Sequence, residues 1–209
     1  MKSPIEDTIW ASSYGSVAAV QAAFDRLGTE YHEAILASGV PAGAAEGLMP
    51  HLEPNAQGID FGSGSGVLGM MLRKLGLRQP LDGLDISPVM LGLAQRTGCY
   101  RELRRCNLLA PEEKAPLPGP YDFAISVGLI GDYVPYYLAL PQIVSVLRPR
   151  AFIGFTVDIK STPWTALEKL SPELGLALLS EKVLRVPEGK LMEQTYHFFV
   201  ARLDANLPA

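Results

Sequence analysis

The chain has 209 residues, of which 48% are hydrophobic and 19% charged, and its formal net charge is −4. These values predict a single globular domain and exclude a chain that attracts nucleic acid or anionic lipid by charge. Two cysteines without a C-x-x-C spacing and three histidines are poor material for a metal site or a disulfide framework. No signal-peptide pattern and no apolar stretch of membrane-spanning length is present, so we expect a soluble, cytoplasmic protein.

The N-terminal part of the sequence, residues 1–50, predicts a helical region. Apolar and aromatic side chains recur at helical spacing from Ser16 onward, at Val20, Phe24, Leu27, Tyr31 and Ile35. Pro41 is suited to open a second helix that ends at Leu48. Trp10 and Tyr14 precede the first helix, where we expect a lid that orders over a ligand.

Between residues 57 and 157, apolar strand patterns alternate with helical patterns. Strands are predicted at 57–61, 81–86, 103–108, 121–127 and 151–157, and helices at 67–75, after Ser87-Pro88, and at 134–147. This alternation predicts a Rossmann-like, doubly wound, mostly parallel α/β sheet. Two further strands at 177–186 and 193–203, joined through the turn-like PEGK, predict an antiparallel hairpin in region 158–209 that completes a seven-stranded sheet.

The stretch GIDFGSGSGVLG, residues 58–69, places five glycines directly behind an apolar run. Gly64 to Gly69 fit G-x-G-x-x-G, and Asp85 follows Gly64 by 21 residues at the end of the next predicted strand. Helix N-termini at the carboxyl ends of strands offer free N–H groups, and an acid at this spacing can accept hydrogen bonds from ribose hydroxyls. The pattern therefore predicts a nucleoside cofactor site; the alternative is a tight turn beside a solvated acid.

The stretch from Asp60 to Gly69 resembles motif I of class I S-adenosylmethionine-dependent methyltransferases, in which an acid precedes G-x-G-x-G. The segments GLDISPVMLGLA (83–94), CNLL (106–109) and YDFAISVGLI (121–130) are similar to later motifs of that family, in the same order. The resemblance covers residues 20–157 and is closest to small stand-alone methyltransferases of the methyltransferase-like group. It differs at Ser63, Ser65 and Asn107, where the family often has cysteine, threonine and an acid.

This resemblance implies S-adenosylmethionine as the cofactor and assigns residues to its parts. The implied contacts are Asp60 to the amino group, Gly62, Ser63, Gly64 and Gly66 in the loop, Asp85 to the ribose, Ile86, Asn107 and Leu108 to the adenine, Ser126 and Val127 to the methionine end, and Tyr14 and Tyr31 as cover. Asp60 also separates two cofactors, because a carboxylate favours an ammonium group and repels the pyrophosphate of NAD.

Methyl transfer is an in-line displacement at an activated carbon, so it does not require a base. The candidates for a base or another catalytic group are Asp132 and Tyr133 after the fourth strand and His32 on the first helix. Asp132 is equally well interpreted as a helix N-cap, and His32 as a surface residue. We expect methyl transfer to a small-molecule acceptor that the sequence does not identify. A cofactor-binding protein that does not methylate, and an NAD-dependent oxidoreductase, remain the alternatives.

Overall fold

The computed structural model describes residues 16–110, 119–158, 164–186 and 195–204. The proposed lid residues Trp10 and Tyr14, and the PEGK turn, lie outside these ranges. Within the described part of the chain, no helix combines the length and the apolar character that crossing a membrane requires.

Two helices precede the sheet, α1 (Val17–Ser38) and α2 (Val40–Leu48). The Ser16 side chain caps α1 by accepting a hydrogen bond from the Ala19 N–H at 3.3 Å. At Gly28 the backbone leaves the helical region, with φ +46° and ψ −120°, so α1 is kinked there. The apolar spacing predicted the helix but not the kink, because residues on both sides of Gly28 keep the same periodicity.

Seven strands form one sheet, as the sequence predicted. They are β1 (Gly58–Phe61), β2 (Leu81–Asp85), β3 (Tyr100–Arg105), β4 (Tyr121–Ser126), β5 (Leu147–Asp158), β6 (Leu176–Arg185) and β7 (Thr195–Leu203), in the spatial order β3-β2-β1-β4-β5-β7-β6. β1 to β5 run parallel, whereas β7 is antiparallel to both β5 and β6. The order reverses between β1 and β4, and the carboxyl ends of strands at such a point are where open α/β sheets bind ligands.

Four more helices cover the sheet: α3 (Val67–Lys74), α4 (Pro88–Arg96), α5 (Tyr136–Val144) and α6 (Trp164–Glu173). Buried side chains form an apolar core on each face. Phe123 and Ile125 of β4 belong to the core that also contains Leu72 of α3. Ala124, between them, belongs to the opposite core with Leu140 of α5. This alternation follows from the two-residue period of a strand, and it shows that β4 is covered on both faces.

Three predicted boundaries were wrong. β3 covers residues 100–105 and not 103–108. The prediction looked for an apolar strand, whereas β3 is an edge strand that is rich in charged residues. Residues 106–109 consequently form a loop at the carboxyl edge. β5 begins at 147 and α5 ends at 144, so the turn between them was placed too late. α6 was not predicted, and the proline at position 172 within it obscured the helical pattern.

Candidate functional site

The glycine loop between β1 and α3 is fastened to β2. The N–H groups of Gly62 and Ser63 both donate to the Leu84 carbonyl at 2.8 Å. Gly64 has φ +50°, which L side chains rarely adopt, and a Cβ built there would come no closer than 3.9 Å to Tyr31. Gly64 is therefore needed for its backbone conformation, and it leaves open space on the side that faces the cleft.

The Asp85 carboxylate faces the cleft and also accepts hydrogen bonds from two backbone segments. Its Oδ2 accepts the Gly64 N–H at 2.8 Å, and its Oδ1 accepts the Ser87 N–H at 2.9 Å. Desolvation raises the pKa of this carboxyl, while the N–H groups of Ser87, Gly64 and Ile86 oppose that rise. A carboxylate oxygen can accept more than one hydrogen bond, so a ribose remains within its capacity. The sequence predicted the cleft position of Asp85 but not its role in holding the loop.

A cleft opens at the carboxyl edge of the sheet, between the loop, α1 and the segment after β4. Nine of the residues that line it were predicted as cofactor or catalytic residues: Tyr31, Gly62, Gly64, Asp85, Ile86, Asn107, Leu108, Val127 and Tyr133. Ten more were not predicted as site residues: Val17, Val20, Phe24, Leu84, Met90, Cys106, Leu109, Gly128, Leu129 and Val134. One face of α1 carries Val17, Val20 and Phe24 together with Tyr31. The helical spacing of these residues could therefore have predicted that they line the cleft.

Aromatic rings form one wall of the cleft. The Phe24 ring packs edge to face against Tyr31, with centroids 5.1 Å apart, and against Tyr133 at 5.5 Å. Desolvation raises the pKa of the Tyr31 hydroxyl, and the charges of Tyr133, Asp85 and Asp132 act in the same direction. Tyr31 therefore stays protonated at neutral pH and can donate a hydrogen bond into the cleft.

α1 is held over the cleft by polar contacts with the other side of the site. The Ser87 hydroxyl donates to Asp25 Oδ1 at 2.5 Å, and Gln21 donates to Asp25 Oδ2 at 3.2 Å. Arg105 at the end of β3 donates both to the Gln21 side chain and to the Ile86 carbonyl. These contacts join α1 to the same segment that carries Asp85.

A second, smaller cavity lies behind the loop, lined by Asp60, Ser63 and Ser65 together with Tyr31. The exposed fraction is 1% for Asp60, 6% for Ser63 and 2% for Ser65. The Asp60 Oδ1 and both serine Oγ atoms have no hydrogen-bond partner among the described residues. Buried polar atoms normally have partners, so three together mark a place where a polar ligand group fits.

Asp60 has one partner that the sequence did not reveal. The Tyr100 hydroxyl, from the start of β3, donates to Asp60 Oδ2 at 2.7 Å. Burial raises the pKa of Asp60 to about 7; the Tyr100 hydrogen bond lowers it, and the charge of Asp85 adds to the rise.

Four predicted residues line neither cavity. A Cβ at Gly66 would lie 2.8 Å from the Ala94 Cα, so this glycine lets α4 approach the loop. The Ser126 hydroxyl is buried and donates to the Phe61 carbonyl at 3.0 Å. His32 adjoins Tyr31, and its Nδ1 is buried without a partner among the described residues. Asp132 lies near enough to Tyr31 to affect its pKa.

Two local expectations need correction or refinement. The interpretation of Asp132 as an N-cap was wrong, because α5 begins after Pro135 and has no side-chain cap. Asn107 lines the cleft, but its Oδ1 already accepts the Leu109 N–H at 3.1 Å, which fixes the loop after β3.

No protein-family model matches the chain. Curated proteins that share sequence with it include two that differ in the length of the match. Methyltransferase-like protein 27 of Homo sapiens is 31% identical over 157 residues, which are 72% of this chain and 62% of that protein. The ribosomal protein L11 methyltransferase of Thermus thermophilus is 34% identical over 101 residues, 48% of this chain and 36% of that protein. The chain thus spans less than two thirds of the length of these relatives.

Among solved structures, the magnesium protoporphyrin IX methyltransferase of Synechocystis PCC 6803, with bound S-adenosylmethionine, has a similar fold. The TM-score is 0.61 at 17% identity, and the match covers 94% of this chain and 90% of the other. At this identity the comparison concerns the fold alone, and it agrees with the strand order described above.

Proposed function

We infer that this chain is a class I S-adenosylmethionine-dependent methyltransferase, which binds S-adenosylmethionine at its glycine loop and transfers the activated methyl group that this cofactor supplies. The observation that carries the assignment is the cavity behind the loop, in which Asp60 Oδ1, Ser63 Oγ and Ser65 Oγ are buried and have no partner in the part of the chain that the structure describes. An ammonium group has three donors and would supply each of these oxygens with a hydrogen bond.

The same cavity argues against NAD. A pyrophosphate would bring negative charge beside Asp60 and Asp85 and would offer only acceptors to Asp60. The methionine end of S-adenosylmethionine offers an ammonium instead, and this cation favours the ionised form of Asp60.

We assign the remaining residues by their positions around the cleft. Asp85 would accept the ribose hydroxyls, and Ile86, Asn107 and Leu108 would surround the adenine, since all four line the cleft between β2 and the loop after β3. Tyr31 and Phe24 on α1 would cover the bound cofactor and exclude water. The roles of Gly66 and Ser126 in this proposal are indirect: they let α4 approach the loop and hold the end of β1.

We further propose a small-molecule acceptor. α1 narrows the entrance, and the rings of Phe24, Tyr31 and Tyr133 offer an apolar wall beside the place expected for the methyl group. A net charge of −4 gives no general attraction to nucleic acid. Because one sequence relative acts on a ribosomal protein by its name, a protein acceptor is the alternative that the experiment has to address.

Calorimetric titration tests the cofactor assignment. The purified chain should bind S-adenosylhomocysteine and S-adenosylmethionine, and should show no heat with NAD under the same conditions. Binding of NAD without binding of S-adenosylmethionine would overturn the proposal.

The acceptor is tested with S-adenosylmethionine that is tritiated in its methyl group. A cell extract is divided into small molecules, protein and nucleic acid, and each fraction is incubated with the chain. We expect label to enter the small-molecule fraction, with no incorporation by an Asp85→Ala variant. Label confined to protein or nucleic acid would contradict the small-molecule acceptor, and binding without any transfer would point to a protein that does not methylate.

A further inference from the structure

Tyr100 reaches Asp60 from a strand that is not its neighbour. β2 lies between β3, which begins with Tyr100, and β1, which carries Asp60. The Tyr100 ring passes beneath α3, is 5% exposed, and ends with its hydroxyl 2.7 Å from Asp60 Oδ2. The hydroxyl therefore comes from outside the loop that surrounds the ligand cavity.

Two glycines make room for this ring. A Cβ at Gly69, in α3, would lie 2.8 Å from the Tyr100 Cε2 atom. A Cβ at Gly83, in β2, would lie 3.0 Å from Tyr100 Cδ1. Gly69 is the last glycine of the G-x-G-x-x-G pattern, and here it serves the tyrosine and not the ligand directly. The backbone on both sides of the ring is thus shaped to let Tyr100 reach the carboxylate.

The hydrogen bond gives one Asp60 oxygen a partner, whereas the other oxygen has none within the described part of the chain. Oδ2 is held by Tyr100, and Oδ1 is buried at the cavity that Ser63 and Ser65 also line. The charged or titratable groups that face Asp60 are Tyr100 from β3, Asp85 from β2 and Tyr31 from α1. None of these is cationic, and the described residues that line this cavity include no Lys, Arg or His.

We propose that Tyr100 is a positioning residue, whose hydroxyl orients Asp60 and keeps it as the charged acceptor for the ammonium group of the cofactor. This proposal rests on the cofactor assignment made above. It makes cofactor affinity depend on pH, because an ionised Asp60 attracts the ammonium and a protonated one does not. Loss of the Tyr100 hydroxyl should leave Asp60 ionised only at higher pH, since the hydrogen bond favours the charged form.

The test is the dissociation constant of S-adenosylhomocysteine between pH 5.5 and 9, measured by calorimetry for wild type and Tyr100→Phe. Deprotonation of the α-amino group of the ligand at alkaline pH should lower affinity on that side in both proteins. As pH is lowered, the affinity of Tyr100→Phe for S-adenosylhomocysteine should begin to fall about one pH unit higher than that of wild type. Affinity at pH 6 should then be about tenfold weaker in the variant.

Tyr121→Phe is the matched control. Tyr121 is also a buried tyrosine that donates to a buried aspartate, Asp82, at 2.7 Å, but it lines neither cavity. Its removal should leave the pH profile of binding unchanged. The phenylalanine at position 100 still fills the space beside Gly69, so we expect Tyr100→Phe to fold. Gly69→Ala, which pushes against the same ring, supplies a second variant and should move the profile in the same direction.

The outcomes separate the two proposals. No binding by wild type would overturn the cofactor assignment itself. Binding by wild type with the same acid limb in Tyr100→Phe would overturn only the role of Tyr100. An equal shift in Tyr121→Phe would mean that any buried tyrosine affects the profile, and this too would overturn a specific role for Tyr100.

Discussion

Two tyrosine–aspartate pairs lie on opposite faces of the same sheet, and they differ in one charge. Asp82 is in register with Ile59, the residue before Asp60, so the two carboxylates point to opposite faces. On one face, Tyr121 donates to Asp82 at 2.7 Å, and Arg101 donates to both carboxylate oxygens at 3.0 and 2.6 Å. On the other face, Tyr100 donates to Asp60 at the same distance of 2.7 Å, but no cation completes the group among the described residues. Both carboxylates are 1% exposed.

The presence or absence of a cation indicates which pair maintains the fold and which pair belongs to a ligand site. A buried carboxylate is costly unless it is paired and hydrogen-bonded. Asp82 has its counter-ion within the chain, so its network is complete. Asp60 lacks one, and its pKa of about 7 expresses the cost of keeping it charged. Perturbed groups of this kind are concentrated at functional sites, which agrees with the proposed ammonium subsite.

The largest expected effect is on the pH dependence of stability in Asp60→Asn. Folding raises the pKa of Asp60 from 3.8 to about 7, so the folded chain binds a proton that the unfolded chain releases. This aspartate therefore makes the wild type less stable as pH rises from about 4 to about 7, with no further loss above. At about 1.4 kcal/mol per pKa unit, the loss amounts to about 4 kcal/mol, and Asn at this position is free of it.

Urea unfolding of cofactor-free protein at several pH values checks this expectation. The stability of Asp60→Asn relative to wild type should rise between pH 4 and pH 7. Asp82→Asn is the control on the other face: it removes the charge that Arg101 pairs with, so it should destabilise the fold at pH 7. If the difference in stability between Asp60→Asn and wild type stays constant across the pH range, the contrast between the two pairs is wrong.

The contrast between the two faces also explains what the sequence could and could not predict. The mostly parallel seven-stranded sheet, and the positions of Asp60, Asp85 and the glycines at the carboxyl ends of strands, follow from local patterns along the chain. The partners of the two aspartates do not, because Tyr100 follows Asp60 by 40 residues and Tyr121 follows Asp82 by 39. Only the packed sheet brings such residues together: Tyr100 lies in none of the quoted motifs, and the motif that Tyr121 begins, YDFAISVGLI, does not indicate its partner.

The same limit applies to residues that hold the site indirectly. Gly66 and Gly69 both appear in the glycine pattern, yet the neighbours that require them, Ala94 and Tyr100, come from later elements. Asp85 was predicted from its spacing to the loop, but its hydrogen bond to Gly64 depends on the way the loop folds back.

The second effect concerns the pair on the opposite face. Arg101→Met removes the counter-ion of Asp82 and leaves the Tyr121 hydroxyl as the side-chain partner of this buried carboxylate among the described residues. Removing one partner of a buried pair costs about 3–5 kcal/mol, and the Arg101 side chain is 45% exposed, so we expect a loss near the lower bound, about 3 kcal/mol. Cofactor affinity should not change, because neither Arg101 nor Asp82 lines the cleft or the cavity behind the loop.

Denaturant unfolding and calorimetry on the same preparation test this pair of expectations. Arg104→Met is the matched control on the same strand, since Arg104 pairs with the partly exposed Glu102 and should contribute no more than about 1 kcal/mol. A change in cofactor affinity in Arg101→Met beyond that in Arg104→Met would show that the two tyrosine–aspartate pairs are coupled.

The smallest effect sharpens the idea that the carboxyl edge is incomplete without a ligand. Ser65 has a buried Oγ without a partner among the described residues, so Ser65→Ala should leave the stability of the cofactor-free chain unchanged or slightly higher. If the hydroxyl contacts the ammonium end, the same change removes a hydrogen bond of about 0.5–1.5 kcal/mol, a decrease in affinity of about 2- to 12-fold. Ser171→Ala, in α6, removes another buried hydroxyl that has no partner among residues 16–110, 119–158, 164–186 and 195–204 and lines neither cavity, and it should alter neither quantity appreciably. Thermal unfolding and titration with S-adenosylhomocysteine measure both. Loss of stability in Ser65→Ala without loss of affinity would show that Ser65 maintains the fold, as Asp82 does, and does not bind the ligand.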